Sequence, residues 1–226
     1  MTNTDIVNKM LENAVHFGHK TSKWNPKMKK YIYGEKFGVH VFDLFKTAEL
    51  LKQAQNFLQT CASEKKTVLL VSTKQQAKKI IEETAKALNM PYISERWIGG
   101  FLTNFDTIKK RIKFLNELKE QEQTGELEKY TKKEAMQRKK QKEKMESILG
   151  GVIDLKKIPD AIFVLDAVRD KIAVKEAQSM NIPIVAIVDS NADPKGIDYP
   201  IPGNDDALKA IQFFMQIVKD SMQSGK

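Results

Sequence analysis

The sequence predicts an α/β protein in which helices cover a parallel β-sheet. Three short and almost wholly apolar runs, 67–73, 161–165 and 184–188, are typical of strands that are buried on both faces. Segments with a helical spacing of apolar residues separate these runs, and such an alternation is typical of parallel sheets.

The remaining elements of this domain can be placed in chain order. A short candidate strand, 92–94, follows the first apolar run after one intervening helix. Helices are predicted wherever apolar residues recur at three- and four-residue steps, which is the spacing of one helix face. The predicted helices are 5–15, 44–61, 77–88, 170–180 and 205–218.

Segment 105–149 interrupts the alternation, because it contains no strand candidate and no proline. Its first arm has helical spacing, and Gly125 offers a turn before a second, more polar arm. This pattern predicts an antiparallel helical hairpin with coiled-coil packing. The chain therefore divides into a discontinuous α/β domain, 1–104 with 150–226, which includes a basic loop at 16–38, and a hairpin insertion.

The composition excludes several classes of protein. The 226 residues include 38 Lys or Arg and 29 Asp or Glu, and the net charge of +9 indicates a polyanionic partner. A single cysteine, Cys61, excludes an internal disulfide scaffold. No apolar run approaches the roughly 20 residues of a membrane span, and the N-terminus lacks a signal-peptide layout. We therefore expect a soluble cytoplasmic protein that does not bind membranes.

The loops that follow the predicted strands are the places where an enzyme of this class would bind its ligand. The loops 72–74, 166–170 and 189–193 contain no glycine-rich phosphate motif and no nucleophile elbow. We interpret their Asp residues as caps of helices and turns. The prediction is a protein that is not an enzyme and has no small-molecule substrate or cofactor. A nucleotide-dependent α/β enzyme, with a ligand at 72–74 or at 189–193, is kept as an alternative.

Two histidines, His16 and His19, stand three residues apart, a spacing that can place both imidazoles on one metal ion. No suitably placed Cys or Glu lies nearby in the sequence to complete such a site. We interpret both residues as structural or RNA-facing and predict no metal site, although Asp189, Asp193 or Asp205 could approach them in the fold.

The segment from 15 to 37 has six lysines against a single acid, Glu35. Aromatic residues are interleaved with these lysines. Lysines neutralise phosphates and exposed aromatic rings stack on bases, so the segment favours RNA binding. The rings can equally well tuck under the sheet domain. The aromatic residues are Trp24, Tyr31, Tyr33 and Phe37.

Two further segments carry side chains suited to RNA. The hairpin has one basic cluster in each arm, 109–113 and 138–144, although a solvated helix surface fits this pattern as well. Segment 95–104 combines Arg, Trp, Thr and Asn side chains with two adjacent glycines that allow a close approach of the backbone. A tight turn before the hairpin explains these glycines equally well.

Three motifs resemble those of one protein family, the bacterial-type small-subunit ribosomal protein two. His16-Phe-Gly-His19 with Trp24-Asn-Pro-Lys27 resembles the N-terminal signature of that family. Segment 96–104, Arg-Trp-Ile-Gly-Gly-Phe-Leu-Thr-Asn, resembles the central one, and segment 159–183 resembles the C-terminal one. The motifs stand in the order of the family, the helical insertion falls at the same position, and the resemblance covers nearly the whole chain.

The resemblance implies a flavodoxin-like (Rossmann-like) three-layer domain with a protruding coiled-coil hairpin. It implies a structural role in the small ribosomal subunit, with binding to small-subunit (16S) rRNA where head and body meet. It further implies contacts with other small-subunit proteins and help in recruiting the large mRNA-binding protein of the subunit. Within the matching motifs, the implied RNA contacts are Lys20, Lys23, Trp24, Asn25, Lys27, Lys29, Arg96, Trp97, Thr103 and Asn104. The charge of the hairpin adds Lys109, Lys110, Arg111, Lys113, Arg138 and Lys139.

A protein adaptor is a second alternative, and it is compatible with the ribosomal one. The apolar face of the first helix, with Ile6, Met10 and Leu11, could receive a partner. If this face packs on its own domain instead, the docking site moves to the hairpin.

Overall fold

The computed structural model describes residues 3–125 and 131–225, and two β-sheets and seven α-helices lie within these ranges. The helices are α1 (Asn3–Glu12), α2 (Leu44–Ser63), α3 (Lys78–Leu88), α4 (Phe105–Gln123), α5 (Lys132–Leu149), α6 (Lys171–Ser179) and α7 (Leu208–Ser224). The strands are β1 (Phe17–Lys20), β2 (Ile32–Lys36), β3 (Val39–Phe42), β4 (Val68–Val71), β5 (Tyr92–Ile93), β6 (Ala161–Val164), β7 (Ile184–Val188) and β8 (Tyr199–Pro202).

Five parallel strands form the larger sheet, in the spatial order β5–β4–β6–β7–β8. Numbered along the chain, this is the order 2-1-3-4-5 of flavodoxin-like folds. The structure therefore confirms the predicted α/β class, the parallel sheet and its flavodoxin-like arrangement.

Alternate residues of each central strand belong to opposite layers of the molecule. In β4, Val68 and Leu70 belong to the core that contains side chains of α2, α3 and α7, while Leu69 and Val71 belong to the core that contains side chains of α4 and α6. Because helices cover both faces of the sheet, every residue of β4, β6 and β7 is buried. This double burial explains why the three runs are apolar throughout.

Strand β8 is not predicted by the sequence, because it contains Pro200 and Pro202. It lies at the edge of the larger sheet, beside β7. An edge strand tolerates proline, since its outer side has no neighbour to which an N–H group would donate.

Segment 16–38 is predicted to be an irregular loop, but in the structure it contains β-strands. Strands β1, β2 and β3 form an antiparallel sheet in the order β1–β3–β2. These strands have four or five residues, nearly all at least partly exposed, and both pairings contain a register shift. Short, irregular strands without a fully buried face show no alternation of apolar and polar residues, so periodicity does not detect them.

The insertion contains two antiparallel helices, α4 and α5. Lys119 lies 2.6 Å from Glu146, and Lys142 pairs with Glu122, so later residues of α4 meet earlier residues of α5. Gly125 follows α4 with a φ of +73°, a conformation suited to glycine. The first residues of the predicted second arm, 126–130, lie outside the described ranges. Coiled-coil packing and the domain boundaries stay predictions.

None of the helices in the described ranges is long and apolar enough to cross a bilayer.

Candidate functional site

The N-terminal motif is attached to the loop that follows β7. The Oδ1 atom of Asn25 accepts a hydrogen bond from the N–H of Lys27 at 3.0 Å, and the N–H of Asn25 donates to the carbonyl of Ser190 at 2.7 Å. Asn25 therefore fixes the turn that carries the basic residues of this motif. The exposed lysines of this region include Lys20, Lys23, Lys27, Lys29 and Lys30.

An ion pair extends this attachment. The Nζ atom of Lys27 lies 2.5 Å from Oδ2 of Asp193, and this contact lowers the pKa of the Asp193 carboxyl below its ordinary value. Both side chains are about half exposed, so the pair contributes little to stability. The pair therefore adds only a weak link between the N-terminal turn and the loop after β7.

The four aromatic side chains of this region divide into two groups. Tyr31 is buried, and Trp24 is partly buried with its ring centre 5.1 Å from that of His40. Tyr33 and Phe37 are 82% and 94% exposed on the β2–β3 hairpin. Of these four residues, Tyr33 and Phe37 present whole rings to a partner.

The carboxylate of Glu176, on α6, holds the central motif. One of its oxygens accepts from Nε1–H of Trp97 at 3.0 Å and from the N–H of Gly100 at 2.7 Å. The other accepts from the N–H groups of Leu102 and Thr103 at 2.9 and 3.4 Å. Glu176 is 8% exposed, so these four donors replace water around a buried carboxylate.

This geometry corrects the interpretation of Trp97 as an RNA contact. Its indole is only 7% exposed and its single donor is already used, so the side chain anchors the motif instead of stacking on a base. Gly100 has a φ of +83°, so a tight turn accounts for this glycine. Arg96, Thr103 and Asn104 are exposed, as contact with RNA requires.

The basic residues of the hairpin lie mostly at the surface. Arg138 is partly buried and donates a hydrogen bond to Oε1 of Gln121 at 3.1 Å, which links the two helices. Lys113 lies 4.0 Å from Glu117, one helical turn further along α4. The exposed cations of the two clusters include Lys109, Lys110, Arg111, Lys113 and Lys139.

The carboxyl edge of the parallel sheet holds a cluster of charges around Lys74. Its Nζ atom lies 2.8 Å from both Asp205 and Asp206 and 3.2 Å from Asp166. Burial lowers the pKa of Lys74, but the carboxylates raise it more, so the pKa is raised on balance. An ammonium group enclosed by three carboxylates does not attract an anion. The structure therefore gives no support to a phosphate site in the loop after β4.

Of the aspartates in the neighbouring loop, Asp166 serves the turn, as predicted, whereas Asp170 does not cap α6 and instead binds the loop after β4. Asp166 Oδ1 accepts hydrogen bonds from the N–H groups of Val168 and Arg169 at 3.0 and 2.8 Å. Asp170 accepts from the N–H and the hydroxyl of Thr73 at 3.1 and 2.8 Å. The contact of Asp170 with Thr73 joins the loops after β6 and β4, at the edge where flavodoxin-like proteins bind ligands.

His19 connects strand β1 to the same edge. Its Nδ1 lies 3.1 Å from Asp189 and its Nε2 lies 3.4 Å from Asp206. The hydrogen bond with Asp189 raises the pKa of His19, although partial burial opposes this shift. The ligand atoms of the three residues lie within 4.8 Å of one another and form a donor set that can hold a divalent cation. His16 is not part of this set, so the two histidines do not share a site as their spacing allowed.

Comparison with known proteins identifies the family. The model of the family described as ribosomal protein S2 matches residues 10–225. The chain belongs to the ribosomal protein S2 family. A protein named small ribosomal subunit protein uS2, from a Nitratiruptor species, is 51% identical over 217 residues, which are 96% of this chain and 81% of the relative. Relatives of the same name from Wolinella succinogenes and Helicobacter hepaticus are 48% and 46% identical over 96% of this chain, and the matches cover 80% and 82% of their own lengths.

Ribosomal protein S2 is a structural constituent of the small ribosomal subunit and is not an enzyme. Family membership therefore places the chain in translation, on the ribosome of the cytoplasm, in association with rRNA and other small-subunit proteins. It confirms the family that the three sequence motifs indicate.

Sequence reasoning missed the role of Glu176. Its partners lie 73 to 79 residues away along the chain, so no local pattern connects them. One signal was present, because Glu176 shares the buried face of α6 with Ala173 and Ala177. A charged residue on such a face needs several hydrogen-bond donors from another segment.

Proposed function

We propose that this ribosomal protein S2 binds small-subunit (16S) rRNA at the junction of head and body. Cationic side chains of the N-terminal segment 20–29, of segment 96–104 and of both arms of the hairpin carry the proposal, and nearly all of them are exposed. Cations of this kind neutralise phosphates and release counterions. The proposed contacts are Lys20, Lys23, Trp24, Asn25, Lys27, Lys29, Arg96, Thr103, Asn104, Lys109, Lys110, Arg111, Lys113, Arg138 and Lys139.

The attachment of these segments to the α/β domain supports the proposal. Asn25 ties the N-terminal turn to Ser190, and Glu176 holds four donors of segment 97–103. Groups held in place before binding lose less conformational freedom when they bind. They suit recognition of folded RNA by its shape and by the positions of its phosphates.

Substitution of the first hairpin cluster tests the proposal. Lys109→Gln, Lys110→Gln and Arg111→Gln together remove three exposed cations. Binding to small ribosomal subunits prepared without this protein is measured by sedimentation at a series of salt concentrations. If the three residues contact phosphates, affinity falls and the slope of log K against log salt becomes shallower by about 2 to 3.

A matched control removes three cations outside the proposed interface. Lys52, Lys86 and Lys156 are exposed on α2, on α3 and before β6. Their replacement by Gln changes the net charge equally, and we expect it to leave the slope nearly unchanged. An equal effect of both triple variants would show that only net charge matters and would contradict a hairpin interface.

We also propose that the hairpin helps to recruit the large mRNA-binding protein of the subunit. On the apolar face of α1, Met10 is fully buried and Ile6 packs against the core, which leaves Leu11, at 48%, as the single exposed apolar side chain among the described residues of this helix. The hairpin instead exposes apolar side chains in the described part of both helices, with Phe114 at 37% and Met136 at 55%. Exposed apolar side chains of this size are suited to contact with a protein.

Replacing both apolar residues tests this role separately from RNA binding. Subunits reconstituted with a Phe114→Ser and Met136→Ser variant should retain this protein but carry less of the large mRNA-binding protein. Subunits reconstituted with the wild type give the reference amount. Subunits with Leu208→Ser, at a position that is 52% exposed on α7, serve as the control. Equal amounts of the large protein in all three preparations would exclude the hairpin as its docking site.

A further inference from the structure

A groove lies between α6 and the loop that follows β7, and the sequence motifs do not account for it. Its volume is about 280 Å³, and it is open to solvent. Asn25, from the N-terminal turn, also lines it. The residues that line it are Asn25, Ala167, Val168, Lys171, Val174, Lys175, Gln178, Asn191, Asp193 and Lys195.

The charge of this groove is positive. Lys171, Lys175 and Lys195 are exposed, and no carboxylate lies within 4 Å of their ammonium groups among the described residues. Asp193 is the acid of the groove, and Lys27 already pairs with it at 2.5 Å. The three lysines are therefore available to phosphates.

Asn191, which lines the groove, carries an acceptor without a donor in the described part of the chain. The Oδ1 atom of Asn191 is buried and has no hydrogen-bond partner among the described residues. A buried polar atom in this state costs free energy unless a ligand or a water satisfies it. Ala167, Val168 and Val174 add apolar surface beside it. Cations at the rim, a buried acceptor and an apolar wall together match the phosphate, the hydroxyl or amino group, and the ring of a nucleotide.

The position of α6 relates the groove to the proposed interface. One side of this helix holds segment 97–103 through Glu176, while Lys171, Val174, Lys175 and Gln178 face the groove, which Asn25 also lines. The groove thus lies between two segments that are proposed to contact rRNA. RNA that runs from one segment to the other passes α6.

From these observations we propose that the groove is a further RNA-binding site that holds one nucleotide of a single-stranded part of the rRNA. Lys171, Lys175 and Lys195 neutralise the adjoining phosphates, and Asn191 Oδ1 accepts a hydrogen bond from a ribose hydroxyl or a base amino group. The proposal rests on the proposed rRNA binding, and it adds the nucleotide pocket and the residues of α6 and of the loop after β7.

Replacing the three lysines tests the phosphate contacts. A Lys171→Gln, Lys175→Gln and Lys195→Gln variant is compared with the wild type and with the triple control at Lys52, Lys86 and Lys156. All are tested on small subunits prepared without this protein. Of these proteins, only the groove variant should bind more weakly than the wild type. Its salt slope should be shallower by about 2, which is the value for three lost contacts with phosphates of a single strand.

Replacing Asn191 tests the acceptor. Asn191→Ala removes a buried polar atom that has no partner among the described residues of the free protein, so thermal stability should be unchanged or higher. Affinity for the depleted subunit should still fall by about threefold to tenfold with an unchanged salt slope. A loss of stability together with a loss of affinity would indicate a structural role for Asn191 and would contradict the proposed contact.

Directed cleavage of the rRNA distinguishes RNA from a protein in the groove. Val168→Cys places a thiol at the groove, where the native side chain is 40% exposed, while the native Cys61 is buried. An iron chelate attached there should cut the rRNA backbone in the assembled subunit, and the same chelate at Ala87→Cys on α3 should not. Weaker binding of the lysine variant without cleavage from position 168 would assign the groove to a protein neighbour and overturn the proposal.

The outcomes separate this inference from the proposed function. If the wild type binds the depleted subunit and the groove variant behaves as the control does, the groove is not an RNA site and the proposed function stands. If the wild type itself fails to bind, the proposed function and the inference fall together.

Discussion

Glu176 shows how a single residue can position a whole segment, here 97–103, which is proposed to contact rRNA. Four donors from residues 97–103 converge on its carboxylate, including the indole N–H of Trp97. Hydrogen bonds to a charged acceptor are stronger than neutral ones, and their loss leaves buried donors without partners. The exposed residues of the motif, Arg96, Thr103 and Asn104, therefore depend on a residue that the solvent hardly reaches.

The first prediction concerns this carboxylate. Glu176→Ala should lower the free energy of unfolding by about 2–4 kcal/mol, because it leaves up to four N–H groups unpaired, and Glu176→Gln should cost less since one oxygen is kept. Denaturant titration followed by circular dichroism measures both. Glu143→Ala, at an exposed position of α5, should change stability by no more than about 0.5 kcal/mol. A Glu176→Ala protein as stable as this control would show that the four hydrogen bonds contribute nothing net.

At the scale of elements, the sequence predicts the buried strands correctly and misses the exposed ones. Strands β4, β6 and β7 are predictable because both of their faces are covered, which leaves apolar residues at every position. Strands β1 and β2 are short and have no buried residue, so no periodicity marks them. For the site, the exposed lysines follow from charge and spacing alone. The burial of Trp97 does not, because its partner on α6 is 79 residues away.

The two helices of the hairpin differ in how they are held. Five side chains of α4 are buried, whereas Leu149 at its last position is the one buried residue of α5 within 132–149. Pairs such as Lys119–Glu146 join the helices at the surface, where ion pairs contribute about 0–1 kcal/mol. The polar middle of α5 is therefore the least stabilised part of the hairpin off the ribosome.

Amide hydrogen exchange tests this difference. In the free protein, amides of residues 132–145 should exchange on the order of 100-fold faster than those in the middle of α7, which buries seven side chains. If the hairpin lies on rRNA, exchange of the same amides should slow when the protein is part of the small subunit. Mass spectrometry of the free and the assembled protein gives both rates. Equal protection of α5 and α7 in the free protein would contradict the expected weakness.

At the scale of the whole molecule, charged side chains join the two sheets. His19 belongs to β1 of the small sheet, while Asp189 and Lys74 follow strands of the large one. Burial and the neighbouring Asp166 and Asp189 raise the pKa of Asp205 to about 7, although Lys74 opposes this shift. His19, which contacts the larger sheet through Asp189 and Asp206, therefore lies in the electrostatic field of a carboxyl with a pKa close to neutral.

The pH dependence of stability follows from the signs of these shifts. Asp205 binds its proton more tightly in the folded state, so the stability it contributes is present below its ordinary pKa and is lost as pH rises from about 4 to about 7. His19 acts in the same direction at higher pH, because its raised pKa gives stability that is full below about 6.5 and is lost above it. The pKa of His16 is lowered by burial and by Lys36. Its contribution therefore has the opposite sign: the stability is present above about 6.5 and is lost as pH falls below that value.

Because these contributions overlap, a difference between variants isolates that of Asp205. Between pH 5 and pH 7, the free energy of unfolding of the wild type should fall relative to that of Asp205→Asn by on the order of 1–3 kcal/mol, since the amide does not titrate. Denaturant titrations at intervals of half a pH unit measure the two curves. Asp154→Asn, at an exposed position, should run parallel to the wild type. If the Asp205→Asn curve also runs parallel, the proton of Asp205 is not linked to folding. The stability of this edge of the parallel sheet then rests on the ion pairs of Lys74 with Asp166 and Asp206.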